Sequence, residues 1–195
     1  MRIEKTDHTS FRANFVNRAK IMKFVNGTYK NEYASFVRID PFNQNDISAL
    51  KDNARCWVSD RYAFALNIYY AACAVRNKSK YYKDHAVYAL TLQKENYNEL
   101  DSDKILGLLQ TSPYIDNSLL IEHIQVNPEY LYKSDAKYKT LGTAILNSIK
   151  NLSNKISCYP SSEKSVKDFY IKNGFEKEPN SLNYYVWRGV NIFRG

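Results

Sequence analysis

The sequence has few of the residues that build disulfide frameworks and metal sites. It contains three cysteines and three histidines in 195 residues. The cysteines Cys56, Cys73 and Cys158 are far apart and odd in number, which argues against a disulfide framework. The histidines show neither HxxxH nor HExxH spacing, and there is no CxxC pair. We therefore expect no metal site.

Long apolar segments and signal-like segments are also missing. No apolar run approaches the roughly eighteen residues needed to span a bilayer. The opening MRIEKTDHTS has no apolar segment ahead of its first charges, which argues against a secretory signal. No repeat, low-complexity tract or Gly/Ser linker divides the chain, and this length is normally one domain. We expect a cytoplasmic, single-domain protein without a membrane partner.

The chain is basic. Its 28 Lys and Arg residues against 20 Asp and Glu give a net charge of +8. Lysine, asparagine and tyrosine are all abundant, as they are in proteins encoded by AT-rich genes, so part of the excess can reflect codon usage. The functional explanation is a polyanionic partner, either the phosphates of a small ligand or a nucleic acid.

Apolar side chains near the N-terminus recur at intervals of four, four and three residues, which predicts a helix. The residues in this pattern are Phe11, Phe15, Ala19 and Met22. Thr9 or Ser10 would cap the helix and Gly27 would end it. We assign residues 1–30 to an N-terminal helical extension and residues 31–195 to the main domain.

The remaining pattern alternates between short strands and helices. We predict strands over 35–39, 85–93, 104–111, 119–126, 155–159 and 184–187, and helices over about 43–57, 62–75, 140–152 and 163–173. This order predicts an α/β protein whose single mixed sheet is flanked by helices. The strands carrying Val126 and Cys158 should lie side by side and parallel, joined by the helix that begins near Thr140.

Two segments in the second half suggest chemistry. The strand ending in Val126-Asn127-Pro128 is followed by Lys137-Tyr138-Lys139-Thr140-Leu141-Gly142-Thr143-Ala144. A helix start leaves unpaired N–H groups and a partial positive charge, so this basic loop can hold a phosphate or pyrophosphate. The second segment, Phe169-Tyr170-Ile171-Lys172-Asn173-Gly174-Phe175, predicts a helix end with a left-handed glycine cap.

In this order, the two segments resemble the acyl-CoA-binding half of the GNAT-superfamily N-acetyltransferases. The resemblance covers residues 85–187 in detail and residues 33–75 by element order. It implies the GNAT fold with acetyl-CoA as acyl donor. The family loop pattern Gln/Arg-x-x-Gly-x-Gly/Ala falls on residues 137–142, where Lys137 is the leading basic residue and Gly142 is retained. Thr140 stands where the family has its first glycine.

The resemblance also implies site residues. Tyr170 takes the place of the tyrosine that protonates the departing CoA thiolate. Glu122 is the candidate base for the attacking amine and His123 the second choice, although a regular strand would put them on opposite faces. The implied cofactor-binding residues are Ile124, Gln125, Val126, Lys137, Tyr138, Lys139, Thr140, Leu141, Gly142 and Thr143. A bulge near Val126 would expose backbone amides to the pantetheine arm.

Cys158 ends a strand near the expected cofactor channel, which raises a covalent acyl-enzyme as an alternative. No histidine can be assigned to it as a base from the sequence, and the family usually transfers the acyl group directly. Glu122 and His123 also have structural explanations, as a paired carboxylate and a hydrogen-bonded sheet residue.

Three functions remain open at this point. The first is an acetyl-CoA-dependent N-acetyltransferase acting on a primary amine of a small molecule or protein. The second is a catalytically silent module that binds CoA or a protein, which Thr140 and the added N-terminal helix favour. The third is an acetyltransferase acting on charged tRNA, suggested by the charge of +8. Other nucleic-acid partners are not expected, since no recognition motif is present. A homodimer is an open alternative.

Overall fold

The computed structural model describes residues 14–57, 63–94, 99–131 and 133–189. These residues form nine strands and four α-helices around one sheet. The strands are β1 (Asn14–Val25), β2 (Thr28–Arg38), β3 (Ala86–Thr91), β4 (Ile105–Pro113), β5 (Leu119–Val126), β6 (Tyr138–Lys139), β7 (Lys155–Cys158), β8 (Glu176–Lys177) and β9 (Tyr185–Arg188). The helices are α1 (Gln44–Cys56), α2 (Phe64–Arg76), α3 (Leu141–Ile149) and α4 (Lys164–Lys172).

All nine strands belong to one mixed sheet in the order β6-β1-β2-β3-β4-β5-β7-β9-β8. Every neighbouring pair is antiparallel except β5 and β7, which are parallel and joined through α3. The mixed sheet with flanking helices is confirmed. The predicted side-by-side, parallel arrangement of the strands carrying Val126 and Cys158 is confirmed as well.

The helices pack on both faces of the sheet because strand residues alternate in direction. Val37 and Ala89 point into a core with α1 and α2, whereas Phe36 and Leu90 point into a second core with α3 and α4. We call these two sides the α1–α2 face and the α3–α4 face. Both faces of the central strands are therefore covered, as their nearly continuous apolar composition requires.

The predicted N-terminal helix is wrong over its described part, because residues 14–25 form strand β1. Ala19 and Ile21, two residues apart, point into the core. Asn26 and Gly27 both have positive φ, 51° and 81°, and connect β1 to β2 as a two-residue hairpin turn. Gly27 therefore closes a hairpin and does not end a helix, and Asn-Gly is a strong hairpin signal. The predicted cap, Thr9 or Ser10, lies outside the described residues.

The sheet continues across the boundary that the sequence suggested between residues 30 and 31, since both lie inside β2. Strands β6 and β8, of two residues each, were not predicted. All other predicted strands and helices are confirmed where the structure describes them, with ends that differ by a few residues. Within the described ranges, no helix combines the length and apolar character needed to cross a membrane.

Asp46 is a buried carboxylate in the first turn of α1, with 1% of its surface exposed. One of its oxygens accepts a hydrogen bond from the Asp40 backbone N–H at 3.1 Å. The other is buried without a partner among the described residues. Burial raises the pKa of Asp46 to about 6, with a smaller contribution from the Asp40 carboxylate, while the Asp40 N–H opposes the rise.

Replacement of Asp46 by asparagine should stabilise the protein above pH 6 and have little effect near pH 4. The folded protein binds this proton more tightly than the unfolded chain, where aspartate titrates near pH 3.9. The contribution of Asp46 to the free energy of unfolding therefore falls as pH rises from about 4 to about 6, and it stays level above that. Urea unfolding at about pH 7.5 should show Asp46→Asn more stable by up to 2–3 kcal/mol.

Asp52, exposed on the same helix, gives the matched control. Asp52→Asn should change the free energy of unfolding little at either pH. An Asp46→Asn protein less stable than the parent at pH 7.5 would show that the ionised carboxylate is needed by the fold.

Candidate active site

Strands β5 and β7 pair over only three residue pairs and then separate. The pairs are Leu119–Ile156, Leu120–Ser157 and Ile121–Cys158. Strand β7 ends at Cys158, while β5 continues to Val126. The edge of β5 from Glu122 to Val126 that faces away from β4 has no strand partner among the described residues. We call this unpaired edge, together with the end of β7, the gap.

Two local features produce the gap. Pro160 lies two residues after Cys158, and proline cannot donate a hydrogen bond to a neighbouring strand, so β7 cannot continue. On β5, Gln110 pairs with His123 and Thr111 pairs with Ile121, which leaves Glu122 as an extra residue. This bulge bends β5 and strengthens its local twist directly after Ile121, the last residue of β5 that pairs with β7. The bulge expected near Val126 therefore lies four residues earlier, at Glu122.

The bulge changes which side chains share a face. Glu122 accepts a hydrogen bond from the Ser112 hydroxyl at 2.5 Å. His123 stacks on Phe64 of α2, with ring centroids 5.3 Å apart. Both residues therefore lie on the α1–α2 face, and the expectation that they occupy opposite faces is wrong. A regular strand would have separated them, but the extra residue resets the alternation.

Glu122 and His123 belong to a polar cluster beside the gap. His85 contacts the Gln110 side chain, with 2.9 Å between Nδ1 and Nε2. Burial lowers the pKa of both His85 and His123, and the Glu122 carboxylate partly opposes this at each ring. Both histidines are therefore neutral at neutral pH. A cavity of about 380 Å³ reaches His85 and is also lined by Arg38, Asp40 and Lys83.

Tyr170 lies on the opposite side of the sheet, in the α3–α4 core. Its side chain is 4% exposed and contacts Phe169 and Phe175 edge-on, with centroid distances of 5.2 and 5.3 Å. Burial strongly raises the pKa of Tyr170, and the nearby Cys158 thiol adds to this effect. The phenol therefore stays protonated at neutral pH and lies close to the end of β7.

The position of Tyr170 follows from the local sequence. Gly174 has φ of 80°, and its N–H bonds to the Ile171 carbonyl at 2.9 Å. The Phe175 N–H bonds to the Tyr170 carbonyl at 3.1 Å. This is a Schellman cap, in which the residue after the glycine packs on the residue five positions earlier. The predicted left-handed cap at Gly174 is confirmed, and it fixes Tyr170 against Phe175.

Cys158 is buried at the end of β7 and is a free thiol. Burial raises the pKa of Cys158 to about 12. The thiolate is the nucleophilic form of cysteine, so this thiol is inert at neutral pH. The environment argues against a covalent acyl-enzyme on Cys158.

The basic loop ahead of α3 is attached to the edge of the sheet. Tyr138 and Lys139 form β6, which pairs with Lys23 and Met22 of β1. Tyr138 is 4% exposed and packs in the α3–α4 core, so its side chain is unavailable to a ligand. Lys137 is exposed. Of this loop, the exposed Lys137 side chain, the half-buried Lys139 side chain and the backbone remain accessible to an anion.

Helix α3 begins without a side-chain cap. Thr140 precedes it in a left-handed conformation, with φ of 62° and ψ of 17°. Its hydroxyl donates to the Lys139 carbonyl at 2.6 Å instead of capping the helix. The N–H groups of Leu141, Gly142 and Thr143 occupy the first turn, whose amides lack intrahelical acceptors. The left-handed conformation explains why glycine suits the position of Thr140.

Gly142 lies where the basic loop and the start of α3 meet the helix α4. A Cβ atom added at Gly142 would come within 3.0 Å of the Phe169 ring on α4. The glycine therefore lets the first turn of α3 approach the helix that carries Tyr170. This contact is a packing reason for Gly142 that the sequence pattern alone did not show.

The Gln125 side chain joins β5 to the two helices α1 and α2 by hydrogen bonds. Its side-chain oxygen accepts from the Ala65 N–H at 2.6 Å, and its amide donates to the Trp57 carbonyl at 3.1 Å. It thereby ties the first turn of α2, which has no cap of its own, and the end of α1 to β5. Sequence reasoning missed this role. Ile124 and Val126 pack against the α3–α4 core, so only their backbone can face the gap.

The described residues contain no group of three or more His, Cys, Asp or Glu side chains arranged to hold a metal ion. A second cavity, of about 450 Å³, lies between α1 and α2 and is lined by Lys51, Tyr69 and Arg76 among others. It is separate from the gap. The gap, the polar cluster and Tyr170 are therefore the groups considered as the candidate active site.

Replacement of Thr140 by glycine should raise stability by up to about 1 kcal/mol, because a β-branched residue is strained at positive φ. The greater freedom of glycine in the unfolded chain offsets part of the gain. Thr140→Ser keeps the hydroxyl but removes the β-branch, and should be as stable as the parent or slightly more stable. Thermal unfolding checks both variants. A destabilised Thr140→Gly protein would show that the threonine side chain contributes more than its strain costs.

No protein-family model and no curated protein matches the sequence. Solved structures do match. A protein from Desulfovibrio desulfuricans assigned to the GNAT family of acetyltransferases has a TM-score of 0.50 and 11% identity, covering 80% of this chain and 98% of its own.

Two further matches have named substrates or ligands. A spermidine N-acetyltransferase SpeG chimera from Vibrio cholerae and hSSAT has a TM-score of 0.50 and 15% identity, covering 80% of this chain and 95% of its own. AtaT complexed with acetyl-methionyl-tRNAfMet has a TM-score of 0.51 and 12% identity, covering 80% and 94%. Together with the parallel pair β5 and β7, these matches show that the chain has the fold of the GNAT-family acetyltransferases.

Proposed function

We propose that the protein is an acetyl-CoA-dependent N-acetyltransferase that transfers the acetyl group directly to a primary amine. One observation carries the proposal. Beside the gap, a carboxylate (Glu122) lies on one face of the sheet and a buried phenol (Tyr170) lies on the other. A thioester held in the gap would have a base on the acceptor side and a hydrogen-bond donor on the sulfur side.

The residues around the gap fit the chemistry of acetyl-CoA. The uncapped first turn of α3 offers N–H groups to a pyrophosphate, and the exposed Lys137 adds a positive charge. The unpaired edge of β5 from Ile124 to Val126 offers backbone groups to the amides of a pantetheine arm, in the way that a neighbouring strand would. Acetyl-CoA would supply the acetyl group as an activated thioester.

Glu122 is the proposed general base. An ammonium group must lose a proton before nitrogen can attack a carbonyl carbon, and a carboxylate beside the gap can accept it. The Ser112 hydroxyl holds one oxygen of Glu122 and leaves the other free to face the acceptor. His123 is the second candidate, since burial keeps its ring neutral and able to accept a proton.

Tyr170 is the proposed group that stabilises the leaving sulfur. Burial raises the pKa of this phenol, so it is a weaker acid than an ordinary tyrosine. A thiolate, from a thiol with a pKa near 8.5, is too weak a base to take the proton completely. Tyr170 therefore acts chiefly by donating a hydrogen bond as negative charge develops on sulfur, with the final proton coming from water.

The acceptor is a primary amine whose identity the site residues leave open. Charged tRNA is the acceptor favoured by the net charge of +8 and by the likeness to AtaT, whose structure holds an acetylated aminoacyl-tRNA. A catalytically silent CoA-binding module is the second candidate function. It is favoured by the strained Thr140, whose side chain stands where a phosphate would approach the backbone.

Acetyl-CoA should bind the protein and raise its melting temperature by several degrees at about 100 times Kd, where ligand binding adds about 2.7 kcal/mol. Lys137→Glu should weaken binding by roughly tenfold or more, because it replaces attraction to phosphate with repulsion. Lys51→Glu, an exposed lysine on α1, changes the net charge equally and should leave affinity unchanged. Calorimetry without any heat of binding up to low millimolar acetyl-CoA would exclude both the enzyme and the CoA-binding module.

Tyr170→Phe should lower turnover by about ten- to a thousandfold while leaving stability nearly unchanged, since the ring packing is retained. A panel of primary amines screened for CoA release supplies the acceptor. Tyr88→Phe removes a hydroxyl from another buried tyrosine of the same core and should keep full activity. If Tyr170→Phe turned over at the parent rate, Tyr170 would be a packing residue only.

A further inference from the structure

The hairpin β1–β2 and strand β6 expose a surface that the candidate active site does not use. Cross-strand partners point to the same side of a sheet, so the register defines this surface. It consists of Lys20, Phe24, Tyr29, Tyr33 and Lys139, and we call it the basic–aromatic strip. Lys20 pairs with Tyr33, Phe24 with Tyr29, and Lys139 with Met22, which lies between Lys20 and Phe24 on the same face.

The strip faces away from the α3–α4 core. The intervening residues Ala19 and Ile21 point into that core and are 4% and 0% exposed. Helices α1 and α2 pack on the same side as the strip, but their core residues contact strands from Val37 onward. Among the described residues, neither helix core extends over the strip, and Tyr33 and Phe24 are 62% and 38% exposed.

Three side chains of the strip, those of Phe24, Tyr29 and Lys139, lie in contact with one another. The Phe24 and Tyr29 ring centroids are 5.1 Å apart. The Lys139 ammonium lies 4.2 Å from the centroid of the Tyr29 ring. The Tyr29 hydroxyl donates to the Ala136 carbonyl at 2.8 Å, which fixes the ring against the basic loop. These contacts hold the side chains in place before any partner arrives.

Charge is concentrated in this hairpin. Residues 14–38 contain five basic residues and one acidic residue, a net charge of +4 and thus half of the whole excess of +8. The acidic residue, Glu32, lies on the other face of the hairpin, where it pairs with Lys23 at 3.4 Å. The described positions of β1, β2 and β6 that face the strip include no carboxylate. In the adjoining described loops, Asp135 precedes β6, and Glu99, Asp101 and Asp103 lie between β3 and β4.

We propose that the basic–aromatic strip binds single-stranded nucleic acid. Exposed aromatic rings on an open sheet surface stack with unpaired bases, and neighbouring lysines neutralise the phosphates between them. Tyr33 is exposed beside Lys20, where its ring would stack on a base. Recognition of a partner by charge alone would not require this ring. A duplex buries its bases and offers the rings nothing to stack on.

The strip adjoins the basic loop through Lys139, so a bound strand would run toward the candidate acyl-CoA site. Nucleic-acid binding by the strip nevertheless does not depend on acetyl transfer. If both hold, the strip would position an amine carried on the unpaired end of an RNA. Lys139 belongs to both surfaces, so Lys20 and Tyr33 are the residues that test the strip alone.

Fluorescence anisotropy with a labelled RNA of about twelve nucleotides tests the proposal, a length that fits one open sheet surface. Tyr33→Thr retains β-propensity and removes the ring, and should weaken binding by roughly tenfold. Lys20→Glu should weaken binding by a similar factor at about 50 mM salt. For the unaltered protein, log K against log salt should fall with a slope of about −1.4 or steeper, as expected for two or more phosphate contacts.

Matched controls separate the strip from other basic surfaces. Tyr81 is 76% exposed and lies beside Lys80, so Tyr81→Thr removes an exposed ring next to a lysine elsewhere on the protein. Lys164→Glu changes an exposed lysine on α4. Both should retain the RNA affinity of the parent, and Tyr33→Thr should retain the acetyl-CoA affinity of the parent.

Three results would overturn the proposal. The first is absence of RNA binding at low salt. The second is binding that depends on charge alone. Either an equal loss of RNA affinity in the strip variants and in the control variants, or equally tight binding of a duplex, would show this. The third is displacement of RNA by saturating CoA together with normal binding by Tyr33→Thr, which would place the RNA phosphates in the CoA loop. Loss of acetyl-CoA binding without loss of RNA binding would reject the proposed enzyme and leave the strip intact.

Discussion

The short parallel pairing of β5 and β7 is the constraint on which the candidate active site depends. Pro160 ends β7 soon after Cys158, and the bulge at Glu122 bends β5 directly after the last pair that it forms with β7. Both strands are otherwise held in the sheet, β5 by β4 and β7 by β9. The protein can therefore keep a gap with unpaired backbone groups in the middle of a nine-stranded sheet without losing the sheet itself.

The gap also decides how the proposed catalytic groups divide between the two faces. Glu122 and His123 belong to the α1–α2 face, whereas Tyr170 and Cys158 belong to the α3–α4 core. Burial on the second side raises the pKa values of the phenol and the thiol, so both stay protonated there. A carboxylate exposed on one side and a hydrogen-bond donor buried on the other is an arrangement that suits the proposed reaction across the sheet.

Two glycines, and a threonine in a conformation that favours glycine, shape the backbone around the gap. Gly174 provides the helix cap that presses Phe175 onto Tyr170, and Gly142 allows α3 to approach Phe169. Thr140 adopts the left-handed conformation that glycine would take without strain. The loop ahead of α3 thus has the left-handed backbone that a glycine would adopt, with one side chain in addition. Its attachment to β1 through β6 links this loop to the basic–aromatic strip.

The sequence by itself determined the elements from α1 onward, except the two-residue strands β6 and β8, and the two segments that point to the fold. Periodicity, proline and glycine act over a few residues, so the helix ending at Gly174 and the strands around Val126 and Cys158 could be predicted. The error at residues 14–25 was also local, since Asn26-Gly27 signalled a hairpin and apolar spacing was given more weight. Only the tertiary structure decided which face Glu122 and His123 share, that Gln125 ties α1 and α2 to β5, and that Tyr138 is buried. Each of these depends on the register of a neighbouring strand or on a helix packed across the sheet, and neither is encoded in the spacing of residues along one segment.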